Sequence, residues 1–140
     1  MTRLADRLGS PAARRTAGLL FLVLFTLFTW KLLQPQPVPP AIQGELHAIF
    51  PGLLFLLAKL AHLLGYAVLV LLGGTVLRSQ LGRVLLIVVL LLHAIGTELG
   101  QSFIPNRTGT IRDVIIDLLG IALGAIILTW IIPTPESRLP

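Results

Sequence analysis

The chain has 140 residues, of which 55% are hydrophobic and only 12% charged, and its mean hydropathy is +0.91. Soluble domains contain about 25% charged residues, so this composition excludes a water-soluble globular domain and predicts a surface that faces lipid. The net charge of +5 does not indicate nucleic-acid binding, because the basic residues are sparse and lie at the ends of apolar runs, as in membrane proteins.

Four apolar segments are long enough to cross a bilayer, which takes about 20 mostly apolar residues per helix. The first is predicted at 17–33 and the second at about 53–77. The third begins near Leu81 and loses its hydrophobicity after Ile95, and the fourth covers about 114–132. Isolated strands cannot satisfy their backbone in lipid, so the predicted fold class is all-α: an integral membrane bundle of four transmembrane helices.

The first apolar segment is predicted to be a retained anchor rather than a signal peptide. It is longer than the apolar core of about 7–15 residues in a signal peptide, and no small-residue cleavage pattern follows it. The predicted organisation is a basic cytoplasmic N-terminus at 1–16, the anchor at 17–33, an extracytoplasmic proline-rich connector at 34–52, a three-helix membrane domain at 53–132, and a cytoplasmic tail at 133–140.

The distribution of basic residues predicts the orientation, because cytoplasmic segments are enriched in lysine and arginine. One side of the predicted bundle holds Arg3, Arg7, Arg14, Arg15, Arg78, Arg83 and Arg138. The other side holds only Lys31, Arg107 and Arg112. Both termini are therefore predicted to be cytoplasmic, and the connection between the third and fourth helices extracytoplasmic.

Polar residues concentrate in the stretch HAIGTELGQSFIPNRTGTIRDVIIDLLG, residues 93–120, between two almost purely apolar runs. At about 100° per residue, helical spacing puts one polar stripe on each of the last three helices. The stripes are Lys59, His62 and Tyr66; Thr97, Glu98 and Gln101, with His93 at the edge; and Asp113, Asp117, Gly120 and Gly124. Turned inward, the three stripes would line a single outward-opening pocket.

Two small-xxx-small patterns accompany these stripes, Gly96-x-x-x-Gly100 and Gly120-x-x-x-Gly124. Such patterns let membrane helices approach closely. They predict that the third and fourth helices pack tightly, with the acidic residues between them and the second helix.

Several polar residues also have a purely structural explanation. Asp113 follows Thr110 at capping-box-like spacing, and Lys59 can extend to the membrane interface. Arg107 and Arg112 can bind lipid phosphates without specificity.

Glu98 and Asp117 are the strongest functional candidates, because each lies inside an apolar helix. A carboxylate at mid-depth costs roughly 2.5 kcal/mol or more, and intramembrane carboxylates usually serve a function. A structural ion pair with Lys59 or Arg107 is the alternative. The full set of predicted binding residues is Lys59, His62, Tyr66, Glu98, Gln101, Arg107, Thr110, Asp113 and Asp117.

The segments KLAHLLGY (59–66), TELGQSFIPNRTGTIRD (97–113) and DLLGIALG (117–124) resemble the VanZ-like membrane protein family. That family shows Lys-x-x-His-x-x-x-Tyr, Glu-x-x-Gln before a Pro-x-Arg turn, a downstream Asp and an Asn-x-x-Gly helix. The resemblance covers about residues 53–130 and does not reach the first helix. Ala58 stands where an Asp often precedes the Lys, and Asp117 where Asn is usual, so the local charge balance differs from the family pattern.

The resemblance implies a multi-pass membrane protein of the bacterial cytoplasmic membrane, in a family first associated with low-level resistance to the glycopeptide antibiotic teicoplanin. It supplies no biochemical mechanism. The partners predicted from the residues are the bilayer and an anionic lipid head group or lipid-linked cell-envelope precursor, with no nucleic acid. Oligomeric state and cofactor are not indicated by the sequence.

Three functions are compatible with these residues. In the first, Arg107 and Arg112 hold the anionic group of a bound lipid. In the second, the protein is a hydrolase or transferase that uses Glu98, Asp117 and His62 for acid–base chemistry or as ligands of a divalent metal. No catalytic signature supports this, the chain has no cysteine, and Thr108 and Thr110 are the remaining hydroxyl candidates. In the third, the cluster is a structural staple in a partner-binding protein.

Overall fold

The computed structural model describes residues 10–35, 50, 52–105, 107 and 109–132. All regular structure in these residues is helical: α1 (Pro11–Leu32), α2 (Leu53–Val76), α3 (Gln80–Gln101) and α4 (Ile111–Ile131). Each helix is long and apolar enough to cross a membrane, which confirms the predicted all-α bundle with four spans. Residues 36–49 and 51 of the proline-rich connector, the C-terminal tail, Arg3, Arg7 and Thr108 lie outside the described residues.

Local capping explains where three of the helices begin. Ser10 Oγ accepts from the Ala13 amide at 3.2 Å, and Pro11 follows it, so α1 starts before the apolar run that predicted it. Ser79 caps α3 in the same way. Thr110 caps α4 by accepting from the Asp113 amide at 3.2 Å, so the capping interpretation of the Thr110–Asp113 spacing is confirmed for the Thr110 side chain.

The closest helix pair is α2 with α4, and glycines make this possible. A Cβ added at Gly120 would collide with the backbone of Leu63, and one at Gly124 would meet the Ala67 carbonyl oxygen at 2.6 Å. The Gly120-x-x-x-Gly124 pattern therefore serves the contact with α2. The expectation that both glycine patterns join α3 to α4 is wrong, because Gly96 has nothing within 4 Å of the Cβ position.

The apolar core lies between α2, α3 and α4, and α1 packs against its side. Tyr66 and Leu69 of α2 and Leu90 of α3 are completely buried. Phe28 of α1 lies against Gly65 of α2, and aromatic side chains of α1 cover the core from that direction. Most of α1 nevertheless faces outward, as expected for a helix whose solvent is lipid.

The four helices alternate in direction, so their termini fall into two groups. At one end, which we call the arginine end, Arg14 donates to the Val76 carbonyl at 3.0 Å. At this end Arg83 also donates to the carbonyls of Leu77 and Ile132, at 3.2 and 2.8 Å. These oxygens belong to the C-termini of α2 and α4, where backbone acceptors lack helical partners. The opposite end carries the polar residues described below.

The glycine contact gives a prediction for stability. Gly120→Ala should lower the free energy of unfolding in detergent by about 1–3 kcal/mol, because the added methyl forces α4 away from the α2 backbone. Gly96→Ala is the matched control, since it adds the same methyl to a helix interior with open space around it. It should be neutral or stabilising, by up to about 1 kcal/mol, because alanine favours helix. Equal thermal shifts in the two variants would contradict this explanation.

The predicted orientation is tested by labelling, since the chain has no native cysteine. Phe103, between α3 and α4, is 80% exposed, and Arg78, at the arginine end, is exposed as well. A membrane-impermeant maleimide should label Phe103→Cys in intact cells and Arg78→Cys only after lysis. The reverse pattern would place the arginine end outside the cell.

Candidate functional site

The end of the bundle opposite the arginines holds a polar cluster built from α2, α3 and α4. We define it as Lys59, His62, Tyr66, His93, Glu98, Gln101, Asp113 and Asp117. Asp117 has no exposed surface, and Glu98 is 4% exposed. The three polar stripes inferred from helical spacing therefore do meet.

Lys59 of α2 forms an ion pair with Asp113 in the first turn of α4. The pair lies at the edge of the cluster, where the Lys59 side chain keeps 20% of its surface exposed. The Lys59 ammonium also lies 5.0 Å from the centre of the Phe55 ring. Asp113 is additionally favoured by the partial positive charge at the start of a helix. Lys59 is thus paired with Asp113, rather than with Glu98 or Asp117.

His62 of α2 and Asp117 of α4 form the innermost polar pair. The His62 Nδ1 and Asp117 Oδ1 atoms are 2.9 Å apart, and both residues are buried. This contact is possible because the backbones of α2 and α4 approach closely at Gly120, one turn further along α4. A carboxylate on one ring nitrogen fixes the orientation of the imidazole.

Glu98 of α3 connects its helix to the beginning of α4. Its Oε2 atom accepts from the Thr110 amide at 2.9 Å. The backbone at Gly109 passes so close to the Glu98 carbonyl that a Cβ there would overlap it. Gly109 and Thr110, which precede α4, therefore lie directly against Glu98.

Three side-chain atoms in the cluster are buried without a hydrogen-bond partner among the described residues: Glu98 Oε1, Gln101 Nε2 and Asp117 Oδ2. Native proteins rarely leave such atoms unpaired, and each costs about 1–3 kcal/mol. The hydrogen-bonding capacity of the cluster is thus only partly used by the protein itself.

A second hydrogen-bond chain joins the cluster to α1. Thr29 Oγ1 donates to the Phe25 carbonyl at 2.7 Å and lies 2.8 Å from His93 Nε2. Since the threonine hydroxyl has one proton, His93 must donate from Nε2, and its Nδ1 then accepts from the Tyr66 hydroxyl at 2.9 Å. Thr29 was not predicted as a site residue. Its only sequence signal is a hydroxyl within an apolar run.

The remaining predicted residues lie at the rim. Arg107 is half-buried, and its Nε donates to the Gln34 carbonyl beyond α1 at 3.1 Å. Arg112 is exposed, and Thr110 is committed to capping α4. Neither arginine forms an ion pair with a described carboxylate.

A groove of about 820 Å³ lies elsewhere, at the arginine end. It is mostly apolar and lies between the start of α1 and the facing parts of α2 and α3, with Arg14 and Arg15 among its lining residues. It shares no residue with the polar cluster. The outward-opening pocket expected from the sequence stays a prediction.

Three members of the cluster could hold a metal ion. His62, Glu98 and Asp117 each offer one ligand atom, and these atoms all lie within 4.8 Å of one another. The same three residues were singled out from the sequence as candidates for acid–base chemistry. The arrangement is compatible with either use, because an imidazole close to carboxylates can transfer protons or provide metal ligands.

Comparison with known proteins identifies one family. The family model described as VanZ/LLP1 matches residues 11–132. This range includes α1, which the motifs at 53–130 did not reach. No curated protein and no solved structure matches the chain.

The contact between α1 and His93 can be tested with two threonines of the same helix. Thr29→Val should lower the free energy of unfolding by about 1 kcal/mol, because the partly buried His93 Nε2 proton loses its acceptor. Thr26→Val is the matched control, since Thr26 is exposed and the substitution is identical. Thermal denaturation in detergent would measure both. A loss of stability in Thr26→Val as large as in Thr29→Val would refute the role of this contact.

Proposed function

The chain belongs to the VanZ/LLP1 family, and from that premise we propose that this multi-pass membrane protein binds an anionic lipid head group or lipid-linked cell-envelope precursor at the polar cluster. One observation carries the proposal. Glu98, Gln101 and Asp117 bring two acceptors and one donor into a buried site and leave them unpaired by the described residues.

The unpaired atoms define what kind of ligand would be complementary. Glu98 Oε1 and Asp117 Oδ2 accept hydrogen bonds, so they suit hydroxyl, amine or amide protons. Gln101 Nε2 donates and suits a carbonyl or phosphate oxygen. Sugar, ethanolamine and peptide head groups present such mixtures. Because these atoms are buried in an apolar interior, a ligand that pairs with them would relieve the cost of leaving them unpaired.

The anionic part of the ligand is assigned to the arginines at the rim. Arg107 uses its Nε for the Gln34 carbonyl, and its two terminal nitrogens bond no described residue. A guanidinium can hold a phosphate through two parallel hydrogen bonds. Arg112, exposed beside the start of α4, adds positive charge at the same rim.

The cellular setting is also part of the proposal. The distribution of basic residues favours the extracytoplasmic side of a bacterial cytoplasmic membrane for the cluster. A lipid-linked envelope precursor fits this location. A link to teicoplanin resistance follows from the family association and is proposed with it.

The contact between His62 and Asp117 favours a second candidate, an enzyme that acts on the same lipid. A carboxylate that orients an imidazole is a common arrangement for a general base. In this case the bound lipid would be converted by a hydrolase or transferase reaction rather than only held.

Native mass spectrometry of delipidated protein tests the proposal. Phosphatidylglycerol, phosphatidylcholine and a polyprenyl diphosphate would be added separately to the wild type and to Arg107→Gln. We expect the anionic lipids to bind preferentially. Arg107→Gln should weaken them about tenfold or more, because a charge-assisted hydrogen bond contributes about 1.5–3 kcal/mol.

Arg78→Gln is the matched control, because it removes an exposed arginine at the other end of the bundle. It should leave the affinity within about twofold of wild type. Equal binding of phosphatidylglycerol and phosphatidylcholine, unchanged in Arg107→Gln, would rule out the proposed site. Recovery of a lipid with altered mass would instead favour the enzyme.

A further inference from the structure

We propose that His62, Glu98 and Asp117 form a binding site for one divalent transition-metal ion, of the Zn²⁺ or Mn²⁺ type. The site joins all three core helices, since these residues lie on α2, α3 and α4 respectively. It is separate from the rim arginines, and it assigns the unpaired oxygens of Glu98 and Asp117 to a metal ion instead of directly to the head group. It uses the deepest part of the polar cluster.

The distances between the three residues suit one ion. Their ligand atoms all lie within 4.8 Å of one another. Ligands of such an ion lie about 2.0–2.2 Å from it, so in a tetrahedral site they are roughly 3.3–3.6 Å apart. Rotation of the three side chains would have to bring the ligand atoms closer by up to about 1.5 Å.

The unpaired oxygens provide an independent observation. Asp117 Oδ2 is completely buried, belongs to a residue with no exposed surface, and has no hydrogen-bond partner among the described residues. Glu98 Oε1 is also buried without a hydrogen-bond partner among the described residues. Each carboxylate therefore uses one oxygen to contact the protein and leaves the other available. For Glu98, the hydrogen bond from the Thr110 amide to Oε2 is typical of a carboxylate that binds a metal through its other oxygen.

The local charge balance also favours a cation. Glu98 and Asp117 place two carboxylates in an apolar interior, where unpaired charge is costly. Among the described residues, Lys59 forms an ion pair with Asp113, and His62 forms a hydrogen bond with Asp117. Lys59 is therefore already matched, and only one imidazole faces the two acids. A divalent ion would supply the missing positive charge.

The type of donor selects the metal. Mg²⁺ and Ca²⁺ prefer sites made only of oxygen, whereas one imidazole with two carboxylates suits Zn²⁺ or Mn²⁺. Three protein ligands also leave a coordination position open. That position would accept a phosphate or carbonyl oxygen of the head group, a step that rests on the proposed function.

The test uses the full chain, purified in detergent and stripped with chelator. After equilibration with Zn²⁺ or Mn²⁺ and desalting, elemental analysis should find about one ion per wild-type chain. Calorimetry should show binding weakened at least about 10- to 100-fold in Glu98→Gln and Asp117→Asn. Thr129→Val is the control, because it changes an exposed side chain of α4 that lies outside the polar cluster. It should keep the ion.

A wild-type chain without stoichiometric metal would overturn the metal site. Binding that is unaffected by Glu98→Gln and Asp117→Asn would overturn it as well. If these variants do not fold, as judged by helical circular dichroism and gel filtration, the wild type still decides. Bound Mn²⁺ should show coupling to an imidazole nitrogen by electron spin-echo spectroscopy. Lack of that coupling would exclude His62 as a ligand and refute the site.

Lipid binding by stripped and metal-loaded protein separates this inference from the proposed function. Preferential binding of phosphatidylglycerol without any bound metal would uphold the lipid proposal and reject the metal site. Stoichiometric metal without preferential binding of phosphatidylglycerol would uphold the metal site and reject the lipid proposal. Lipid affinity that rises on addition of Zn²⁺ or Mn²⁺ would support both.

Discussion

The close approach of α2 and α4 is the contact on which the rest of the polar end depends. Gly120 and Gly124 leave no room for a side chain between the α4 stripe and the α2 backbone. The same closeness brings the short Asp117 side chain within 2.9 Å of His62. A wider separation would leave an aspartate buried in an apolar interior with nothing to contact, at a cost of several kcal/mol. The close packing of α4 on α2 at the two glycines thus determines how near the Asp117 carboxylate lies to His62.

The polar groups divide into those that hold the fold and those that remain available. The Lys59–Asp113 pair, the capping of α4 and the chain from Thr29 to Tyr66 are closed contacts within the protein. A purely structural cluster would consist only of such contacts. Glu98, Gln101 and Asp117 differ, because each contributes an atom that the described residues do not use. This difference between neighbours is the physical basis for the proposal that the cluster binds a ligand.

The sequence predicted what depends on periodicity and hydropathy, and missed what depends on packing. Four apolar runs are a direct consequence of bilayer thickness, and stripes at helical spacing correctly grouped the residues around Asp117. Pattern alone could not say which helix each glycine faces: Gly96 faces open space, although it has the same motif as Gly120. Nor could it assign Lys59 to Asp113, or add Thr29 of α1 to the site, because such choices depend on helix rotation and tilt.

The wide separation in sequence of the buried pairs has a consequence for biosynthesis. The partner of Lys59 lies 54 residues later in the chain, and that of His62 lies 55 residues later. When α2 leaves the ribosome, α4 has not yet been made. The polar side chains of α2 then have no partners in lipid. Lys59 and His62 therefore lack these partners until α4 is made, which raises the cost of inserting α2 on its own. The polar cluster should assemble only after α4 has entered the bilayer.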